Sequence, residues 1–162
     1  MQDLGTLGGT NSEAYVINDS GQVVGDAWTS GGLLHAFLWQ SASGMKDLGT
    51  LGGSTSKAYV INSSVQVVGY SYINSTSYRA FLYTGSTMID LNTRIDSSSG
   101  WTLKSANAVN DLGQIVGTGT NSSGQSHAFL LTPVPEPSTI VLIGIGSISL
   151  LAYAWRRRKR IV

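Results

Sequence analysis

The sequence predicts an all-β domain of β-propeller-like repeats followed by a C-terminal transmembrane helix. Three observations predict this. A set of motifs recurs at a spacing of 44 to 48 residues across residues 1–132. Within each recurrence, short apolar runs alternate with Asn, Asp, Ser and Gly. Finally, residues 137–155 carry no charge and lead straight into Arg156, Arg157, Arg158, Lys159 and Arg160.

The period is read directly. DLGTLGG occupies residues 3–9 and returns at 47–53, and EAYVINDSGQVVG at 13–25 returns as KAYVINSSVQVVG at 57–69. A more divergent NAVNDLGQIVG lies at 107–117. HAFLW (35–39), RAFLY (79–83) and HAFLL (127–131) keep the same spacing, and Asp90-Leu91-Asn92-Thr93 is a degraded form of the first motif. A period in the forties with several short strands is the signature of a repeat architecture. The expected units are residues 1–44, 45–88 and 89–132.

Within the first unit, residues 14–17 are expected to form a strand. The turn Asn18-Asp19-Ser20-Gly21 follows, since Asn and Asp favour turns and Gly accepts a positive φ. Residues 22–25, 35–39 and 45–48 supply a second, third and fourth strand. About four short strands per unit is the arithmetic of a propeller blade. Strands apolar on both faces suit sheets stacked face to face, and Ala36, Ala80 and Ala128 would be small because packing there is close. The second unit has Asn62-Ser63-Ser64-Val65 at the turn, without the Gly, so a looser turn is expected. Closed propellers have about four to eight blades, so three units make an incomplete ring with open edges that invite pairing. Residues Met1-Gln2-Asp3-Leu4 stand in register with Met45-Lys46-Asp47-Leu48, with no charged and apolar leader before them. The expectation is a fragment of a longer repeat protein.

Charge is divided along the chain. Residues 1–137 hold five Lys and Arg against nine Asp and Glu, and the last residues add five basic side chains. An acidic body has no footprint for nucleic acid, which is bound through a basic face that releases counterions. With no cysteine, disulfides and thiolate metal sites are excluded.

Candidate chemistry in the body is sparse. His35 and His127 occupy equivalent places in different units and are expected to point outward rather than converge, with no carboxylate at supporting spacing. Asp3, Asp47 and Asp90 read as turn or cap residues. Residues 4–9 are not a phosphate loop, because no Lys follows and no helix begins. Residues 18–21 lack the downstream Glu of a calcium loop. Tyr15, Trp28, Trp39, Tyr59 and Trp101 could stack on sugar rings, but their alternation with aliphatics predicts that they fill the core. No catalytic, cofactor or metal residue is assigned.

The ending is more specific. As a helix, residues 138–155, including Ser138, Ile140, Leu142, Ile145, Leu150 and Trp155, would run about 27 Å at roughly 1.5 Å per residue. That approaches the roughly 30 Å hydrocarbon core of a bilayer. Pro137 suits the first helical turn. Tyr153 and Trp155 suit an interfacial belt, and the basic residues 156–160 would stay cytoplasmic. Their attraction for anionic lipid is about 1 kcal/mol per residue.

Pro135, Glu136 and Pro137, followed by Ser138-Thr139, an apolar segment and a terminal Arg cluster, resemble the PEP-CTERM sorting signal. The resemblance covers residues 133–160 and implies recognition and processing by an exosortase-type membrane enzyme of Gram-negative bacteria, many of which make exopolysaccharide. The repeats at residues 2–132 resemble the HAF repeats of extracellular bacterial proteins, with Arg79 departing from the His of the motif. Together these imply a non-enzymatic surface or matrix protein. It would be held in the inner membrane with residues 1–132 in the periplasm and the tail cytoplasmic, then displayed or secreted after processing. Its expected partners are exosortase, the bilayer and, as a candidate ligand, exopolysaccharide. The second reading is an extracellular carbohydrate-binding or hydrolytic propeller with its site at the central mouth.

Overall fold

A computed structural model describes residues 1–134. The turn residues divide the described residues into eleven strands. The first sheet joins β1 (Gly8–Ile17), β2 (Val23–Thr29), β3 (Leu34–Gln40) and β4 (Gly44–Asp47). The second joins β5 (Ser56–Ile61), β6 (Val67–Tyr72), β7 (Tyr78–Thr84) and β8 (Thr87–Asp90). Two short 3-10 turns, Leu91–Arg94 and Ser97–Ser99, lead to the third sheet of β9 (Thr102–Val109), β10 (Ile115–Thr120) and β11 (Ser126–Leu131). Within each sheet the ladders are antiparallel and join strands adjacent in sequence, and two isolated parallel bridges, Leu7 with Thr29 and Leu34 with Thr55, lie outside them.

The all-β expectation therefore stands, and among the described residues, which end at 134, the third sheet has three strands where four were expected. At the degraded motif of residues 90–93, Asp90 ends β8 and caps a 3-10 turn, its carboxylate accepting from Asn92 N at 2.8 Å. No closed barrel or ring is formed among the described residues. Nor is any helix among them long and apolar enough to cross a membrane. The predicted span at residues 138–155 lies outside the described residues.

Residues 1–132 make one compact unit. Its core is layered, because the central strands of the first two sheets carry buried apolar residues on both faces. Val24, Ala36 and Leu38 of the first sheet meet Ala58, Ile61, Val67, Phe81 and Tyr83 of the second, with Leu48 between them. The second sheet turns Val68 and Ala80 the other way, onto Leu103, Ala106, Val109 and Ile115 of the third. Phe37 and Phe81 are almost wholly buried, and each contributes roughly 1.5–3 kcal/mol through burial. Ala36 and Ala80 lie in these layers as expected, whereas Ala128 is exposed.

Close approach is built in at Gly25, Gly69 and Gly117. A Cβ at any of them would collide with the backbone carbonyl of Glu13, Lys57 or Ser105 respectively, beside irregularities in strand register. The turn at residues 62–65 corrects the expectation of looseness. Asn62 Oδ1 accepts from Ser64 N and Gln66 N, as Asn18 Oδ1 accepts from Ser20 N and Gln22 N. Val65 takes φ 60°, close to the 73° and 74° of Gly21 and Gly113. The β-branched residue accepts a strained backbone and packs its side chain against the first core layer.

Candidate functional site

The strongest concentration of polar chemistry lies at the seam between the first two sheets. Asp26 interrupts an apolar strand, VVGDAW, and its side chain is only 4% exposed. A carboxylate so buried requires partners, and β1 and β5 supply them. Tyr15 Oη donates to Asp26 Oδ2 at 2.7 Å, and Lys57 Nζ lies 2.8 Å from the same oxygen. Glu13 Oε2 is 3.0 Å from the Tyr15 hydroxyl. A cleft of about 120 Å³ opens here, lined by Asn11, Glu13, Asp26, Trp28, Leu34 and Lys57.

Burial and the acceptors Asp26 and Glu13 push the Tyr15 hydroxyl well above its ordinary pKa. Burial alone would lower Lys57, but the hydrogen bond and charge of Asp26 outweigh it and hold the ammonium firmly protonated. From Tyr15 a row of aromatic rings runs across the second sheet. Tyr59 lies 6.4 Å from Tyr15 and Tyr70 lies 5.8 Å from Tyr59, while Tyr72 and Tyr78 pack edge-on near Tyr70. Burial raises the Tyr59 and Tyr70 hydroxyls as well. Lys104 Nζ sits 5.7 Å above the Tyr78 ring.

A second cleft, of about 300 Å³, lies at the β1–β2 loop end, where Asn18, Asn62 and Asn110 line up. Asn18 Nδ2 donates to Asn62 O at 3.1 Å and Asn62 Nδ2 to Asn110 O at 2.9 Å, tying the three sheets together. Ser63 donates to Asp111 through both its hydroxyl and its backbone N, which holds the Asp111 carboxyl below the usual range.

The aromatic residues divide in a way their alternation did not reveal. Trp39 is buried and Trp101 packs against the second core layer, but Tyr15 and Trp28 are exposed. The histidines also diverge. His127 is exposed, whereas His35 Nδ1 lies 2.8 Å from Asp47 Oδ2, a carboxylate partner the spacing had not suggested. Asp3 and Asp47 each accept from the backbone N two residues on, Gly5 and Gly49. No group of three or more metal-ligating side chains gathers among the described residues. Pro135, Glu136, Pro137, the span and the basic residues 156–160 lie outside the described residues.

The tail is decided by comparison with known families. The family model described as the PEP-CTERM protein-sorting motif matches residues 133–159. The chain carries a PEP-CTERM sorting motif. Such motifs are processed by exosortase, a membrane enzyme, so the motif marks a chain directed to secretion or the cell surface. The match lies beyond the sheets and assigns them no activity. No curated protein and no solved structure matches the chain.

Proposed function

We propose that this chain is an exported, non-enzymatic surface or matrix protein whose sheets are HAF-type, propeller-like repeats and whose tail is held in the inner membrane until exosortase processes it. The PEP-CTERM match at residues 133–159 carries the reading. The uncharged residues 137–155 and the basic residues 156–160 support insertion with the Arg cluster on the cytoplasmic side. The non-enzymatic character draws on the similarity of the sheets, since similar units build surfaces whereas catalysis needs one unique cluster. Asp26, the most buried carboxylate among the described residues, is already engaged by Lys57 and Tyr15. Fractionation of cells with and without exosortase tests the proposal. A mass decrease and release from the membrane are expected only where the enzyme is present, and identical mass and attachment in both strains would refute it.

The exposed aromatics favour a second, compatible reading, in which the sheets bind exopolysaccharide. Trp28 and Tyr15 beside Asp26 and Lys57 combine stacking faces with polar groups that orient a ligand. Added exopolysaccharide should change Trp fluorescence in the wild type, and Trp28→Ala should abolish binding. Equal affinity in the variant would remove this cleft from consideration.

A further inference from the structure

We propose that a third cleft, formed by β3 and β4 with the β5–β6 and β7–β8 turns, binds an acidic sugar, a hexuronate, through its carboxylate. This inference is independent of the sorting reading and of the cleft beside Trp28.

Charge separates this cleft from the two described above. Glu13 and Asp26 line the first, and Asp19 and Asp111 line the second. The third encloses about 400 Å³, and its walls include Leu38, Gln40, Lys46, Val65, Tyr83 and Ser86. Among the described residues no carboxylate lines it. Lys46 Nζ lies 5.5 Å from the centroid of the Tyr83 ring and makes no ion pair among the described residues. A cleft that holds one positive charge and no negative one draws in an anion. Its size falls within the roughly 300–1,000 Å³ of small-ligand sites.

The repeat pattern is broken at the places that build this cleft. Lys46 stands opposite Leu38 on β4, whereas Ile89 stands opposite Leu82 on β8. Tyr83 of RAFLY is matched by Leu131 of HAFLL. Val65 stands where the corresponding turns hold Gly21 and Gly113. In the second and third sheets the equivalent places of Lys46, Val65 and Tyr83 are therefore Ile89, Gly113 and Leu131, which carry no charge and no aromatic ring. The cation over the ring belongs to one seam and not to the repeat.

Backbone strain gathers at the same opening. Val65 and Ser86, at φ 60° and 87°, are the two non-glycine residues with positive φ among the described residues. Both stand in turns that glycine fits without cost. The counterparts of Val65 are glycines, and Gly85-Ser86 is a two-residue hairpin loop, which favours glycine. A side chain held in such a backbone costs energy. Here the two side chains add an apolar wall and a hydroxyl to one cleft.

The lining selects the ligand. Lys46 offers a compact point charge that suits one carboxylate, and no Arg lines the cleft to supply the fork that matches phosphate. Gln40, Ser64 and Ser86 can donate to and accept from hydroxyls. Leu38 and Val65 give an apolar surface for the C–H face of a sugar ring. A carboxylate and several hydroxyls on one ring are the groups of a hexuronate.

Isothermal titration of the full-length chain in detergent with trigalacturonate tests the proposal. The wild type should bind it, and should bind its methyl ester, which keeps the hydroxyls but not the charge, at least about tenfold more weakly. Lys46→Gln should weaken trigalacturonate by at least about tenfold, and Ser86→Gly, which suits the turn and removes the hydroxyl, by about fivefold. Lys46 is exposed, so circular dichroism of Lys46→Gln should match the wild type. Galacturonate monomer distinguishes two sources of the same chemistry: a tighter trimer assigns the site to a residue within a chain, and an equal monomer to a free sugar acid. Trp28→Ala should leave trigalacturonate affinity unchanged. Binding lost in Trp28→Ala and kept in Lys46→Gln would overturn this site and leave the cleft beside Trp28 standing. No binding by the wild type, or acetate or the methyl ester binding as tightly as trigalacturonate, would overturn the uronate assignment.

Discussion

Lys57 Nζ and Asp26 Oδ2 meet at 2.8 Å across the seam of the first and second sheets, and the two partners are unequally buried, 27% against 4% exposed. Removing the cation strands a buried carboxylate, whereas removing the anion leaves an ammonium that can reach water along its flexible stem. Lys57→Met is therefore expected to cost about 3 kcal/mol. Asp26→Asn, which can still accept from Tyr15, should cost about 1–2 kcal/mol. Urea denaturation of the two variants checks the order, and the reverse order would contradict the geometry.

Alkaline pH should destabilise the domain. Tyr15, Tyr59 and Tyr70 all have raised pKa values, foremost from burial, and Lys57 is raised through Asp26 despite its burial. A raised folded-state pKa gives stability that is complete below the unfolded value and is lost as pH rises through the folded one. The loss should begin near the unfolded tyrosine value of about 10. Tyrosinate absorbance should rise in at least two phases, the later one coinciding with unfolding. A single phase at the free-tyrosine value would refute the burial of these hydroxyls.

Gly69 is placed so that a methyl group would strike Lys57 O and the Phe81 ring. Gly69→Ala should destabilise by about 1–3 kcal/mol, as overpacking does. Gly31, which meets only the tip of Thr29, is the control, and Gly31→Ala should leave the thermal midpoint nearly unchanged.

Asn62 and Asn110 hold the same kind of turn, but only Asn62 also donates to another sheet. Asn62→Ala should exceed Asn110→Ala by about 1 kcal/mol, the net worth of one hydrogen bond. Equal losses would mean that the ladder adds nothing beyond the turns.

Most strands and turns were legible because their signals are local. The alternation of VVG and HAF runs with Asn- and Gly-bearing turns marks β2, β3, β6, β7 and their loops. The turn at 62–65 was misjudged because its form is imposed by Asn62 and by packing of Val65, so glycine is replaceable there at the cost of strain. The seam was missed because Asp26 and Lys57 lie on different sheets, far apart in sequence. A lone carboxylate inside VVGDAW was the available signal. The contact of His35 with Asp47 was readable only through the register of β3 on β4.

The backbone ladder of every strand in the three sheets joins it only to strands adjacent to it in sequence. A polypeptide threading end-first through a narrow pore could therefore zip up one meander at a time, with no distant segment needed to complete a sheet already across. Each finished meander then offers the next a template to settle upon, so assembly can keep pace with translocation and leave little sticky surface waiting in between.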